Sequence, residues 1–241
     1  MAASATRAAI LFDLDGTLTD PFVGITRSLQ YAMEKMGRIV PAAEDLRWCI
    51  GPPIKAGFRL LLGTDDEAAI DEGVRLYRER YASVGKFENV LIDGIPQALD
   101  ELAADGNFLA VATSKLKTYA GDIIDHFELR RYFEVVHGSE FDGTNAVKRD
   151  LIGHILAVEA IDPKRAVMIG DREHDVIGAR ANSVPAIGVL WGYGDRAELE
   201  AAGAARLAFQ PRDLRALVTE LLDGDALSTA TSIIHRAHPA L

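Results

Sequence analysis

Residues 10–20, ILFDLDGTLTD, lead three apolar side chains into two aspartates, Asp13 and Asp15, which are followed by Gly16 and Thr17. The apolar run predicts a buried strand. Alternate residues of a strand point to the same side, so the two carboxylates repel each other unless a positive group lies between them. The stretch therefore predicts a strand that ends in a site for a metal ion, a phosphate group or both.

The overall charge limits the classes of partner. The 241 residues carry a formal net charge of −10 and a pI near 5.1. Nucleic-acid binding depends mostly on the neutralisation of phosphates by basic residues, so this charge opposes it. A small phosphorylated substrate would have to be bound by a local positive site.

Hydropathy and cysteine content indicate the compartment. No stretch approaches the roughly 18 consecutive apolar residues that predict a membrane span. Cys49 is the only cysteine and cannot form an internal disulfide. The short apolar N-terminal run leads directly into Asp13, so removing it as a secretion signal would destroy the most unusual motif. We expect a soluble, cytoplasmic protein with no membrane partner; the sequence does not indicate its oligomeric state.

Residues 21–87 predict a helical insertion without strands. One helix has its apolar face at Ile25, Leu29, Ala32, Met33 and Met36. A second is expected to begin at Thr64, where TDDE forms a capping box with Glu67, and to bury Ile70, Val74, Tyr77 and Tyr81. This block should cover the edge of the sheet described next.

From residue 90 onward, predicted strands and helices alternate. The strands include FLAVAT, FEVVHGS, AVMIG and AIGVL. This alternation predicts an α/β fold, a Rossmann-like parallel sheet with helices on both faces. We assign residues 1–20 and 88–225 to this core, residues 21–87 to a small all-helical domain inserted after the first strand, and residues 226–241 to a C-terminal tail.

Several polar residues fall where predicted strands end. They are Asp13 and Asp15 after the first strand, Thr113 and Ser114 in VATSK, and Asp171 and Asp175 in MIGDREHD, with Lys148 at the start of an intervening helix. Ligands of open α/β sheets bind beyond the carboxyl ends of the strands. These residues are therefore expected to meet in one site.

The aspartate pair suits phosphoryl chemistry. Asp13 is the candidate nucleophile, which would accept a phosphoryl group as an aspartyl phosphate. Asp15 is the candidate acid and base, first protonating the leaving oxygen and then deprotonating the attacking water. Gly16 and Thr17 suit the tight turn that this arrangement requires.

The remaining groups would balance charge. Oxygen ligands from Asp13 and Asp171 are expected to hold Mg²⁺, while Asp175 either ligates the ion directly or orients its ligands. The Thr113 hydroxyl and nearby backbone N–H groups, including those of Gly16 and Ser114, would hold phosphate oxygens. Lys148 would add a fixed positive charge.

The motifs DLDGT, VATSK, a lysine opening KRDLIGHIL, and GDREHD resemble, in this order, the four motifs of the haloacid dehalogenase superfamily of phosphohydrolases. The resemblance implies that the helical insertion is a cap that selects the substrate. It also implies metal ligation by Asp13, by the backbone carbonyl of Asp15 and by Asp171. The segments GDREHDVIGARAN and WGYGDRAELEAAGA look like the branch of phosphoglycolate phosphatases and 5′-nucleotidase-like enzymes, and the bulky Arg172 and Glu173 favour the nucleotidase side.

Substrate recognition is expected from the insertion. Lys55 and Arg59 lie four residues apart and would share a helical face toward an anionic substrate, although solvated surface cations explain them almost as well. The leading hypothesis is a Mg²⁺-dependent phosphomonoester hydrolase acting on a small phosphorylated metabolite. A phosphotransferase or sugar-phosphate mutase, and a non-catalytic binding protein of the same fold, are the alternatives.

Overall fold

The computed structural model of the protein describes residues 7–223, so the predicted tail at 226–241 lies outside the described residues. The strands are β1 (Ala9–Phe12), β2 (Thr19–Asp20), β3 (Val90–Leu91), β4 (Phe108–Leu116), β5 (Val135–Ser139), β6 (Ala166–Gly170), β7 (Ala186–Val189) and β8 (Arg206–Ala208). The α-helices are α1 (Phe22–Lys35), α2 (Ile54–Leu62), α3 (Glu67–Tyr81), α4 (Ile95–Ala104), α5 (Lys117–His126), α6 (Lys148–Val158), α7 (Glu173–Ala181) and α8 (Arg196–Ala202), and residues 214–223 are also helical. Within residues 7–223, no helix is both long and apolar enough to cross a bilayer.

Six strands form one parallel sheet in the order β5-β4-β1-β6-β7-β8. The central strand β1 pairs with β4 on one side and β6 on the other, with Phe12 opposite Val111 and Ile169. The predicted α/β fold is confirmed. After β1 the chain forms β4 and β5 on one side, and it then crosses over to form β6, β7 and β8 on the other. The order of strands therefore reverses at β1, which marks the switch point beyond which ligands bind in open sheets.

The alternation of side chains along β1 builds two hydrophobic cores. Ile10 and Phe12 pack on the face that carries α4 and α5. Ala9 and Leu11 lie on the opposite face, which carries α6 and α7. All four residues of β1 are buried, as the apolar run predicts for a strand covered on both sides.

The helical insertion forms a third core of its own. Leu29 of α1, Phe58 of α2 and Tyr77 of α3 are buried together. Residues 21–85 contain no strand, as predicted. The chain enters and leaves the insertion through the short antiparallel pair of β2 and β3, in which Thr19 lies opposite Leu91. The insertion is therefore attached to the sheet directly after the first strand.

One predicted helix boundary is wrong. α3 begins at Glu67 rather than at Thr64, because the Asp66 carboxylate accepts a hydrogen bond from Ala68 N–H (3.1 Å) and acts as the N-cap. The Thr64 hydroxyl instead accepts from Asp66 N–H. α7 begins at Glu173, ahead of Asp175, so Asp175 lies in its first turn. Met36, expected on the apolar face of α1, is only half-buried at the C-terminal end.

Candidate active site

The carboxyl ends of β1, β4 and β6 bring the predicted residues together. Asp13 directly follows β1, and its N–H donates to the Ile169 carbonyl (2.9 Å), which extends the pairing with β6 by one residue. Asp171 directly follows β6, and Thr113 lies in β4. Asp13, Thr113 and Asp171 are all buried. The sheet topology thus places three side chains, from distant parts of the sequence, at one edge.

Lys148 joins two of the aspartates. Its Nζ lies 2.7 Å from Asp13 Oδ1 and 2.6 Å from Asp175 Oδ1, and it donates to the Ala112 carbonyl (2.6 Å). Burial alone would lower the pKa of Lys148, but the attraction of Asp13 and Asp175 outweighs it and raises this pKa. Lys148 is therefore a buried positive charge beside the candidate nucleophile.

Asp13, Asp171 and Asp175 form a buried acidic cluster in which one carboxylate oxygen from each residue lies within 4.8 Å of the other two. Asp171 is fully buried and accepts from Tyr193 N–H (2.8 Å), with the Thr17 hydroxyl 3.5 Å away. Burial, followed by repulsion from Asp13 and Asp175, raises the pKa of Asp171 well above its ordinary value. The hydrogen bonds and Lys148 thus balance only part of the negative charge of the ionised cluster. These residues fit a divalent cation, which prefers such oxygen ligands.

Asp175 contacts both Lys148 and the loop that precedes α7. Besides contacting Lys148, its carboxylate accepts from Arg172 N–H (3.1 Å) at the start of α7. Burial raises the pKa of Asp175 to about 6 against the lowering effect of Lys148. Its geometry is consistent with either of the two predicted roles, ligation of a cation or orientation of its neighbours.

Gly16 and Gly192 allow the chain to pass closely around Asp171. Gly16 has φ +84°, a conformation that favours glycine, and a side-chain Cβ there would clash with the Asp171 carboxylate. A Cβ at Gly192 would also clash with the Asp171 side chain. The predicted tight turn after Asp15 is present, and close approach to Asp171 is its physical reason.

Asp15 has an ion-pair partner that is not among the site residues predicted from the sequence. Lys115 Nζ lies 2.7 Å from Asp15 Oδ2 and donates to the hydroxyl of Tyr81, which belongs to α3 of the insertion. Burial raises the pKa of Asp15 against the lowering effect of Lys115. Asp15 Oδ1 is buried and has no hydrogen-bond partner among residues 7–223. Asp15 therefore keeps one oxygen uncommitted beside the cavity described next.

A cavity of about 630 Å³ opens between the sheet and the insertion. Core residues Asp13, Asp15, Thr113 and Ser114 line one side of it. Helices α2 and α3 supply the other side, including Lys55. The insertion thus encloses the site that the strand ends form.

The two cations predicted to face a substrate differ in position. Lys55 lines the cavity but forms ion pairs with Asp71 (2.6 Å) and Glu67 (3.5 Å). Arg59 is not among the residues lining the cavity and pairs with Glu67 and Asp65 instead. Both cations are therefore paired with carboxylates that follow α2 in the sequence. Arg59 does not contact the predicted site in this structure.

Arg172 connects the acidic loop to the insertion. Its Nη1 donates to the Ile50 carbonyl of the insertion (2.7 Å), and its Nε donates to Glu198 (2.8 Å). Gly51 packs against the same side chain, where a Cβ would lie 3.0 Å from Arg172 Cγ. The bulky residue after Asp171 therefore acts as a tie between the sheet edge and the helical insertion.

Comparisons with known proteins agree with this geometry. The family model of haloacid dehalogenase-like hydrolases matches residues 10–189. The chain is 47% identical over 192 residues to a 5′-nucleotidase of Pseudomonas aeruginosa, an alignment that covers 80% of this chain and 86% of that protein. A crystal structure described as a predicted phosphatase from Clostridium acetobutylicum superimposes with a TM-score of 0.85 at 39% identity, covering 89% of this chain and 99% of that one.

A relative that is named as a kinase shares the same fold. The chain is 40% identical over 185 residues to the tyrosine-protein kinase PtkA of Mycobacterium tuberculosis, covering 77% of this chain but only 62% of that protein. The family match spans the strand ends that carry Asp13, Thr113 and Asp171. The chain therefore belongs to the haloacid dehalogenase-like hydrolase family, as one of its phosphoric monoester hydrolases.

Proposed function

We propose that the protein is a Mg²⁺-dependent phosphomonoester hydrolase that works through a phospho-aspartate on Asp13. The substrate is a small phosphorylated metabolite, of the kind that a 5′-nucleotidase or a phosphoglycolate phosphatase hydrolyses. One observation carries the proposal. Asp13 is a buried carboxylate on the wall of the cavity, 2.7 Å from Lys148 and two residues before a second carboxylate on the same wall.

Asp13 is the nucleophile of the first step. A carboxylate oxygen attacks phosphorus, the ester bond to the leaving oxygen breaks, and an aspartyl phosphate forms on Asp13. Lys148, held on Asp13 and Asp175, offsets part of the negative charge that accumulates on the transferring oxygens. The Thr113 hydroxyl and the backbone N–H group of Ser114 bind the remaining phosphate oxygens. The Gly16 N–H, which was also predicted to contact phosphate, instead donates to the Thr19 carbonyl (2.7 Å) within the turn.

Asp15 moves the protons of both steps. It donates a proton to the leaving oxygen and then takes one from the water that hydrolyses the aspartyl phosphate, releasing inorganic phosphate. Its uncommitted Oδ1 supplies the oxygen for this transfer, while Lys115 holds the other oxygen. Lys115 and Tyr81 thereby position Asp15 and link it to the insertion, which acts as the cap.

Asp13, Asp171 and the backbone carbonyl of Asp15 would hold the metal, with Asp175 beside them. When bound, Mg²⁺ would offset the charge of the carboxylates and of the substrate phosphate. The fit rests on the buried cluster within 4.8 Å and on the raised pKa of Asp171.

Adding Mg²⁺ to metal-free protein is expected to raise its thermal unfolding temperature. A ligand at a hundredfold excess over its dissociation constant stabilises the folded state by about 2.7 kcal/mol. Asp171→Asn should lose this shift, yet be no less stable without metal, because it removes one of three mutually repelling charges. Scanning calorimetry with and without Mg²⁺ measures both effects. An undiminished shift in Asp171→Asn would place the ion elsewhere.

Phosphate release across a substrate panel tests the function itself. The panel holds phosphoglycolate, nucleoside 5′-monophosphates and sugar phosphates, each assayed with and without Mg²⁺. We expect Mg²⁺-dependent release of inorganic phosphate from at least one class, with Asp13→Asn as the inactive control. If neither the wild-type protein nor the variant released phosphate from any substrate of the panel, the result would contradict hydrolysis.

Phosphoryl transfer is the second candidate, and the likeness to the tyrosine-protein kinase PtkA favours it. The same aspartyl phosphate would then donate to a hydroxyl group instead of water. This reaction predicts slow release of inorganic phosphate and faster decay of the intermediate when an acceptor is added. Quenched-flow measurement of the phosphorylated protein, with and without acceptor, separates the two candidates.

A further inference from the structure

Phe141 occupies an exposed position at the wall of the cavity. It lies in the loop between β5 and α6, lines the cavity, and is 60% exposed. The loop is held by backbone hydrogen bonds from Glu140 N–H to the Thr144 carbonyl (2.8 Å) and from Gly143 N–H to the Glu140 carbonyl (3.1 Å). Its Asp142 carboxylate also accepts from Thr144 N–H (2.9 Å). A formed turn therefore presents the aromatic ring to solvent beside the site.

Arg78 faces this ring from the insertion. Its guanidinium carbon lies 5.3 Å from the centroid of Phe141. The other three cations that line the cavity, Lys55, Arg75 and Lys115, are each paired with a carboxylate. Among residues 7–223, the guanidinium of Arg78 has no carboxylate and no hydrogen-bond partner, so its side-chain donors are free for a ligand.

An aromatic wall joins this pair to the candidate acid and base. Tyr119 packs edge-on against Phe141, with ring centroids 6.4 Å apart. It also packs against Tyr81 with the rings tilted and their centroids 5.6 Å apart. The Tyr81 hydroxyl contacts Lys115, which holds Asp15. Aromatic surface thus extends from the reacting end of the cavity to the exposed ring of Phe141.

We propose that Phe141 and Arg78 bind the base of a nucleoside 5′-monophosphate and so determine the substrate class. The inference rests on the proposed phosphatase function. Nucleobases stack on aromatic rings and on guanidinium planes, whichever base is present. A cavity of about 630 Å³ falls in the range that encloses ligands of this size. A two-carbon phosphate ester carries no ring and would leave Phe141 unused.

Ribose 5-phosphate is the matched substrate, because it keeps the phosphate and the sugar of a nucleotide but lacks the base. The wild-type protein should hydrolyse UMP and AMP with a kcat/KM at least about fivefold above that for ribose 5-phosphate, the smallest factor expected of one base stack. Phe141→Ala should remove this preference by raising KM for the nucleotides. Ribose 5-phosphate should be hydrolysed as before. Phe141→Trp should retain the preference, and Arg78→Met should weaken it.

Phe209 provides a matched control variant. It is 63% exposed and lies 5.3 Å under the guanidinium carbon of Arg196, but it does not line the cavity. Phe209→Ala should leave the hydrolysis of UMP, AMP and ribose 5-phosphate unchanged. A loss of nucleotide preference in this variant equal to that in Phe141→Ala would overturn the proposal, because it would reflect a general effect on the fold.

Three other outcomes would contradict base recognition. Phe141→Ala could lower kcat/KM equally for nucleotides and ribose 5-phosphate. Arg78→Met could abolish turnover of phosphoglycolate alone, which would make Arg78 a carboxylate receptor. A phosphotyrosine peptide could depend on Phe141 more than the nucleotides do, which would make a tyrosine ring the ligand. In all three, hydrolysis blocked by Asp13→Asn would leave the proposed phosphatase function intact.

Discussion

Asp13→Asn is expected to lower phosphate release at least about 10³-fold, because the substitution removes the nucleophile of a covalent mechanism. The amide keeps the shape of the side chain and one oxygen to accept from Lys148, so the fold should be retained. Steady-state assays on the best substrate of the panel measure the loss. Acid-quenched mass spectrometry should find a phosphorylated peptide containing Asp13 in the wild-type protein and none in the variant.

Asp150→Asn is the control for this experiment. Asp150 is an exposed carboxylate on α6, two residues from Lys148, and its removal should change the rate little. If Asp13→Asn kept wild-type turnover while the phosphorylated peptide mapped elsewhere, another residue would be the nucleophile. If it kept turnover with no phosphorylated peptide in either protein, water would attack phosphorus directly.

The central part of the site could be predicted because it depends on local rules. A continuous apolar run predicts a strand that is buried on both faces, and Asp13 and Asp171 each directly follow such a run. Parallel strands bring their carboxyl ends to one edge of the sheet. Lys148 opens the helix that follows β5, so the same topology delivers it to that edge. These three positions needed only the strand boundaries and the α/β alternation.

Contacts between the insertion and the sheet could not be predicted in the same way. Tyr81 and Arg78 fall within the second predicted helix of the insertion, but the sequence does not indicate how that helix is oriented relative to the sheet. Lys115 did carry a signal. It stands two residues after Thr113 on β4, and the period of a strand places both on one side. In VATSK the hydroxyl groups of Thr113 and Ser114 indicate phosphate contacts more directly than the lysine does.

The wrong start of α3 arose from competition between neighbouring capping residues. In TDDE, Thr64 and Asp66 are both good N-caps, and the carboxylate of Asp66 takes Ala68 N–H. This choice leaves Glu67 as the first residue of the helix, where it pairs with Lys55 and Arg59 of α2. Arg59 therefore pairs with Glu67 and does not line the cavity in which a substrate contact was expected.

Lys148→Met is expected to lower the free energy of unfolding by about 3–5 kcal/mol in the absence of metal. Removing one partner of a buried ion pair leaves an uncompensated charge, and here Asp13 and Asp175 would both lose their lysine. Urea unfolding followed by circular dichroism measures the change. Activity should be lost as well, because the transferring phosphate would lose its fixed positive charge.

Lys164→Met is the matched control, since Lys164 is exposed and has no side-chain partner among residues 7–223. A substitution of this kind should change the free energy of unfolding by no more than about 0.5 kcal/mol. Mg²⁺ should recover part of the stability of Lys148→Met, because the cation would compensate the same carboxylates, but it should not restore full activity. A Lys148→Met protein as stable as Lys164→Met without metal would show that the acidic cluster does not need the lysine, and the charge balance argued for Asp13 would fail.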